Sequence, residues 1–183
     1  AHVIEGCDRA ARLVDQMLLL ARIDEHATPG ALPTARLDRI AARVIADLAP
    51  GALEQGVSLE LATEEAVTVA ADATLLEVLL RNLIDNAVRH GGPPGPVEVH
   101  CRRDEHGAVL EVTDRGPGVD CGEIESLGRR FFRASGASGP GSGLGLSIVQ
   151  RIAEHSGGSV LYRRGPGDRG LAVELRFPPA SAA

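Results

Sequence analysis

Apolar residues follow two periods along this chain. From Leu75 to His90 (L-L-E-V-L-L-R-N-L-I-D-N-A-V-R-H) they recur every three or four positions, and at about 100° per residue Leu76, Leu79, Leu80, Leu83 and Ala87 form one stripe. No Gly or Pro interrupts the run, and Asp72 stands just upstream as a helix N-cap. Asn82, Asn86 and Arg89 share the flank of that stripe, because positions three and four apart face the same way. An amide at a core edge is costly unless something satisfies it, so Asn86 either ties down a loop or meets a ligand. Residues 3–24 read as one helix with a heptad-like seam of Val3, Cys7, Ala10, Val14, Met17, Ala21 and Asp24, widened by Leu13 and Leu20. One helix cannot bury such a seam alone, so it needs a bundle partner or its own domain as cover. Residues 37–53 are helical, with Ile40, Val44, Ile45 and Leu48 on one face, although Pro50-Gly51 blurs the end.

Period-two segments predict strands. Residues 57–61 and 67–70 are expected to pair as a hairpin before the central helix. Residues 97–102 and 108–113 flank a turn at Glu105–Gly107, and 159–163 and 171–177 flank R-G-P-G-D-R-G. A short helix is expected within 121–128, and a longer one over 144–155, stopped by Gly157-Gly158. Two prolines and a glycine make residues 27–35 a linker between an N-terminal helix (1–26) and a domain (36–178). Residues 135–143 are too poor in apolar groups to pack and are expected to be mobile, and 179–183 is a frayed tail. The order ββ-helix-ββ-helix-ββ favours a sheet on one side and helices on the other.

Composition changes this picture little. A chain of 183 residues with 44% hydrophobic but only 2% aromatic content must build an aliphatic core. A net charge of −6 without a basic cluster argues against nucleic acid as a partner. Cys7, Cys101 and Cys121 are odd in number and lack metal or disulfide spacing, which suits a reducing compartment. No apolar run approaches the ~18 residues of a membrane span.

Two glycine-containing loops carry the candidate chemistry. Asp114-Arg115-Gly116-Pro117-Gly118 follows the strand V-L-E-V-T, where a carboxylate can accept from an exocyclic amino group while the glycines let a flat ring approach the backbone. Gly141-Ser142-Gly143-Leu144-Gly145-Leu146 opens the helix S-I-V-Q-R-I-A-E-H, whose first N–H groups favour a bound anion. The second loop lacks G-K-[ST], and it follows a loop rather than a strand with G-x-G-x-G spacing, so neither a Walker A loop nor a dinucleotide fingerprint fits.

Taken together, N-x-x-x-N on a helix, D-x-G-x-G after a strand and G-x-G-L-G before a helix resemble the nucleotide-binding set shared by sensor histidine kinases, DNA gyrase, heat-shock chaperones and mismatch-repair ATPases, over residues 37–177. The histidine-kinase branch matches best: Asn82–His90 (N-L-I-D-N-A-V-R-H) resembles its N box and Arg130-Phe131-Phe132-Arg133 its F box. Arg9–Glu25 resembles the second helix of its dimerisation hairpin. The resemblance implies an α+β fold, a two-layer α/β sandwich with a mixed sheet and helices on one face (the Bergerat ATP-binding fold), preceded by one long bundle-forming helix. It implies ATP and Mg2+ as ligands, with Asn86 holding the metal through its amide oxygen and Asn82 assisting the phosphates or the metal's waters. Arg89 would meet phosphate, His90 would lie beside adenine and Asp114 would accept from the adenine amino group. Gly116 and Gly118 would give the base room; Gly141, Gly143, Leu144, Gly145 and Leu146 would form and hinge the lid; Arg130 and Arg133 would reach the γ-phosphate.

There are departures. Gly128-Arg129 stand where that family usually has Phe-Glu before the F-box Arg, and no H-E-x-R-T-P phosphoacceptor motif surrounds His2, His26, His90, His100, His106 or His155. The expectation is therefore a piece of a longer kinase that binds ATP without the histidine it would phosphorylate. Its partners would be a response regulator and, in the full-length protein, a second copy. Homodimerisation of the piece itself would be weak or absent. The parent would be membrane-anchored, with this part on the cytoplasmic side of the inner membrane. A hydrolase of the gyrase or mismatch-repair type is disfavoured because those place a Glu where Asn82 stands; a non-catalytic nucleotide-sensing or partner-binding module of the same fold is the alternative.

Overall fold

The computed structural model describes residues 14, 16–18, 20, 21, 23, 32–63, 66–91, 95–135 and 142–179. Its elements are β1 (Thr34–Arg36), α1 (Leu37–Glu54), β2 (Leu59–Thr63), β3 (Thr68–Ala70), α2 (Ala73–Gly91), β4 (Val97–Asp104), β5 (Gly107–Thr113), α3 (Cys121–Ile124), α4 (Gly145–His155), β6 (Ser159–Arg164) and β7 (Leu171–Phe177). A five-stranded sheet runs β2-β4-β5-β7-β6, and β1 and β3 form a separate two-stranded ribbon. Because β2 lies parallel to β4 while the other neighbours are antiparallel, the sheet is mixed. The parallel pair requires a crossover, and α2 supplies it.

The core lies between that sheet and α1, α2 and α4. All five residues of the central stripe are buried, together with Ile148, Ile152, Val99, Leu110, Leu175 and Phe177. At the end of α4 the Gly158 N–H donates to Ala153 O (2.8 Å), while Gly157 turns left-handed (φ 68), so the predicted glycine stop is a C-terminal cap. On the sheet, Glu174 is buried beneath Arg163 (3.1 Å), Arg176 (2.8 Å) and Arg102 (3.5 Å).

Three expectations need correction. Residues 57–61 and 67–70 do not form a hairpin: β2 pairs with β4 and β3 with β1. Alternation marks a strand but does not choose its partner, and the end of the linker competes successfully for β3, with Thr34 opposite Ala70 and Ala71 N–H donating to Pro33 O at 2.8 Å. The linker set at 27–35 therefore stops short of Thr34. The helix expected over 37–53 does form and runs through Pro50 to Glu54; Pro50 removes only the one intrahelical N–H that it cannot supply. Of the N-terminal helix, the described residues are helical, and Val14, Met17 and Leu18 stay exposed (55%, 52% and 52%). Leu20, assigned from periodicity to the bundle seam, instead joins Ile23 in the domain core. The seam positions Val3, Cys7, Ala10, Leu13 and Asp24, the loop residues 136–141 and the tail from 180 lie outside the described residues.

Candidate functional site

The capped start of α2 sets the rotation of everything that follows on it. Asp72 Oδ1 accepts the N–H groups of Thr74 (2.8 Å) and Leu75 (3.1 Å), and burial of the Leu stripe then fixes the helix against the sheet. That leaves Asn82, Asn86 and His90 half-buried along one edge and Arg89 exposed. The Asn82 amide nitrogen donates to Val78 O (2.8 Å), and a Cβ placed on Gly145 would stand 3.3 Å from Asn82 Oδ1. The Asn82 oxygen thus faces the start of α4, where any side chain would press on it. The Asn86 side chain has no hydrogen-bond partner among the described residues, so its amide is available to a ligand. An amide oxygen is a hard donor suited to Mg2+, which takes few protein ligands and completes its shell with water and phosphate oxygens.

Asp114 lies just beyond β5 and is 4% exposed. Its N–H donates to Leu171 O (3.0 Å), anchoring the loop to β7, and its Oδ1 accepts the Gly116 N–H (2.9 Å). Burial pushes its carboxyl above the ordinary carboxylate value, opposed by the backbone N–H groups of Gly116 and Leu171. The loop is pressed onto the last turn of α2. A Cβ on Gly116 would lie 2.5 Å from His90 O, and one on Gly91 would lie 2.8 Å from Asp114 Cβ. Gly118 adopts φ 77 beside Gly170 O, a conformation other residues enter only with strain.

The second glycine loop meets this edge from the other side. Gly143 (φ 69) accepts the Phe131 N–H (3.0 Å), and a Cβ on it would be 2.8 Å from Phe131 C. Leu144 is buried, Gly145 begins α4 and Leu146 is half-buried. Gly141 lies outside the described residues. Phe131 itself is exposed with φ 63, a costly backbone state for an aromatic residue and one that clusters at functional segments. Arg130 and Arg133 are exposed. Burial lowers the His90 pKa, and the charges of Arg89 and then Arg133 lower it further. Arg133 therefore lies within electrostatic reach of the last turn of α2.

Two supporting glycines escaped the sequence reading. Gly170 N–H donates to Gly116 O (2.7 Å), and a Cβ on Gly170 would fall 1.9 Å from Asp114 O. Gly165 N–H donates to Gly170 O (3.1 Å) across the same turn. In sequence they look like hairpin-turn glycines; only the folded chain brings that turn beneath Asp114.

An amide edge, a buried carboxylate behind a glycine loop and a glycine-opened helix start thus share the end of α2. Known proteins share this fold and are similar in sequence. The full-length ShkA structure in complex with AMPPNP superposes with a TM-score of 0.82 at 28% identity, covering 98% of this chain and 38% of that one. The mycobacterial sensor histidine kinase MprB superposes with a TM-score of 0.71 at 28% identity, covering 80% of this chain and 97% of that one. Sensor protein kinase PmrB of Pseudomonas aeruginosa is 36% identical over 178 residues, 97% of this chain and 37% of PmrB. Sensor protein QseC of Escherichia coli (strain K12) is 36% identical over 158 residues, 86% of this chain and 34% of QseC. The chain therefore spans little more than a third of the length of these curated relatives. The family model for histidine kinase-, DNA gyrase B- and HSP90-like ATPases matches residues 71–181, which hold α2, both glycine loops and the β6–β7 support, and the chain belongs to that family.

Proposed function

We propose that this chain is the ATP-binding catalytic part of a two-component sensor histidine kinase. The observation that carries the reading is the close approach of Asn82 Oδ1 to Gly145, with the Asp114 loop clamped on the same helix. Adenine would sit against Gly116 and Gly118 with its amino group on Asp114, and the phosphates would lie along the Asn edge toward the start of α4. Bound Mg2+ would neutralise phosphate charge and orient the γ-phosphoryl group. The chain's own contribution is positioning: Asn86 and Asn82 present amide oxygens, Arg89 and Arg133 place cations at the phosphate end, and His90 stays neutral beside the base. Asn82, where hydrolysing relatives of the superfamily carry a Glu, gives no general base for water, which favours transfer over hydrolysis.

The γ-phosphoryl would pass to a histidine on a dimerisation hairpin and then to an aspartate of a response regulator. The exposed Val14, Met17 and Leu18 supply an unpaired face for such a bundle. The parent would be anchored in the inner membrane with this part cytoplasmic. Among the described residues no helix is long and apolar enough to cross a membrane. The test has two arms. An ATP analogue should bind more tightly with Mg2+ than without it, and radiolabel from γ-labelled ATP should appear on a separately supplied histidine-bearing hairpin. Label on a histidine of the chain itself would contradict the expectation that its phosphoacceptor lies elsewhere; binding without transfer to any hairpin would contradict the kinase reading and is the outcome of a non-catalytic nucleotide-sensing module.

A further inference from the structure

The F-box-like segment departs from the resemblance at Gly128, and the structure shows what occupies the vacated space. Tyr162 projects from β6 toward the helix layer and packs against the core. A Cβ on Gly128 would stand 2.8 Å from the Tyr162 hydroxyl oxygen and 3.4 Å from its Cε2 and Cζ. Gly128 holds φ 84, so neither its conformation nor its surroundings admit a side chain easily. The same hydroxyl oxygen lies 3.5 Å from Leu146 O, in the first turn of α4. That is long for an O–H···O bond, so the contact counts as packing. Burial pushes the phenol upward, and it stays neutral.

Gly128 and Leu146 bracket the segment that carries Arg130, Arg133 and Gly143. One pin already closes its base, the Phe131 N–H donating to Gly143 O at 3.0 Å. Tyr162 touches the chain just outside that pin, on both sides at once. We propose that Tyr162 is a positioning residue that supplies, from a neighbouring strand, the aromatic ring missing at position 128 and so holds residues 129–135 in register with 142–146 at the phosphate end of the site. The proposal rests on the nucleotide-binding reading for its consequence, though not for its geometry. Loosening the ring would cost the phosphate contacts of the loop while leaving the base contacts at Asp114 intact. Apparent affinity scales with the fraction of molecules whose loop is competent, so a fall to about one tenth competent weakens ATP about tenfold.

The experiment compares the unmodified chain with Tyr162→Phe, Tyr162→Leu and Tyr162→Ala. Amide hydrogen exchange over 129–135 and 142–146 is followed without nucleotide, and affinities for ATP and for adenosine are measured separately. Tyr162→Phe keeps the ring atoms beside Gly128 but loses the hydroxyl that reaches Leu146 O, so it should shift in the same direction as Tyr162→Ala by less. Tyr162→Ala should exchange faster over 129–135 and 142–146 with α2 unchanged, and should lose about tenfold for ATP and little for adenosine. Tyr162→Leu, which keeps apolar volume on β6, should shift in the same direction by less and serves if the Ala variant does not fold. An unchanged ATP-to-adenosine ratio with unchanged exchange would overturn the proposal, as would equal losses for both ligands, since that is what general destabilisation produces. If the unmodified chain binds neither ligand, the nucleotide reading falls, and the exchange comparison alone still decides the role of the ring.

Discussion

Replacing Asp114 by Asn changes a buried charge without changing its shape, and two consequences of opposite sign follow. Burial raises the folded-state pKa of this carboxyl, so the folded chain holds its proton more readily than the unfolded chain does. Stability from this group is therefore greatest at low pH and declines as pH rises above the ordinary carboxylate value through the raised one. At neutral pH the charge is a burden on folding that the neutral amide of Asp114→Asn would not carry. Binding responds the other way. Oδ1 already accepts from Gly116 N–H, so an amide that keeps this bond turns its NH2 toward the adenine amino group, donor against donor. Losing a hydrogen bond to a charged acceptor costs about 1.5–3 kcal/mol, or roughly 10- to 150-fold in Kd. Titration calorimetry with an ATP analogue, beside thermal unfolding at pH 5 and pH 8, separates the effects. Asp114→Asn should bind ATP at least about tenfold more weakly, with an unfolding midpoint at pH 8 no lower than that of the parent. Unchanged affinity, or a loss matched by a parallel fall in stability, would refute the base-reading role, as would equal binding of ATP and GTP by the parent.

Asn86→Ala should remove the Mg2+-dependent part of nucleotide affinity and leave unfolding nearly unchanged, since this side chain has no hydrogen-bond partner among the described residues; calorimetry with and without Mg2+ reads it. Gly116→Ala places a methyl 2.5 Å from His90 O and should destabilise by about 1–3 kcal/mol, lowering the melting midpoint by roughly 2–4 °C per kcal/mol for a chain of this size. The lowered His90 pKa means that the unfolded chain takes up this proton first. Its contribution is fully present above the ordinary imidazole value and is lost as pH falls below it. His90→Phe should therefore flatten the stability profile between about pH 7 and 5.5, measured by denaturant unfolding at each pH.

What the sequence determined alone is the part written in short-range pattern. Asp72 and the Leu76–Ala87 stripe define α2, and Asn82, Asn86 and Arg89 follow on its flank because a helix repeats every 3.6 residues. The β4–β5 and β6–β7 hairpins were legible for the same reason, with a turn between two alternating runs. The glycine loops could be found in sequence, and their order pointed to nucleotide binding before any contact was known. The tertiary structure decided whatever depends on partners distant along the chain. Alternation in 57–61 and 67–70 could not say that β2 would take β4 and β3 would take β1, because pleat period carries no partner identity. Heptad spacing assigned Leu20 to a bundle, yet the domain core claims it with Ile23, since burial is settled by the nearest apolar surface and not by spacing. Gly165 and Gly170 under Asp114, Gly145 against Asn82, and Tyr162 filling the space at Gly128 are all approaches between segments far apart in sequence. Each is a matter of volume, and no local pattern records which remote atoms will need the room.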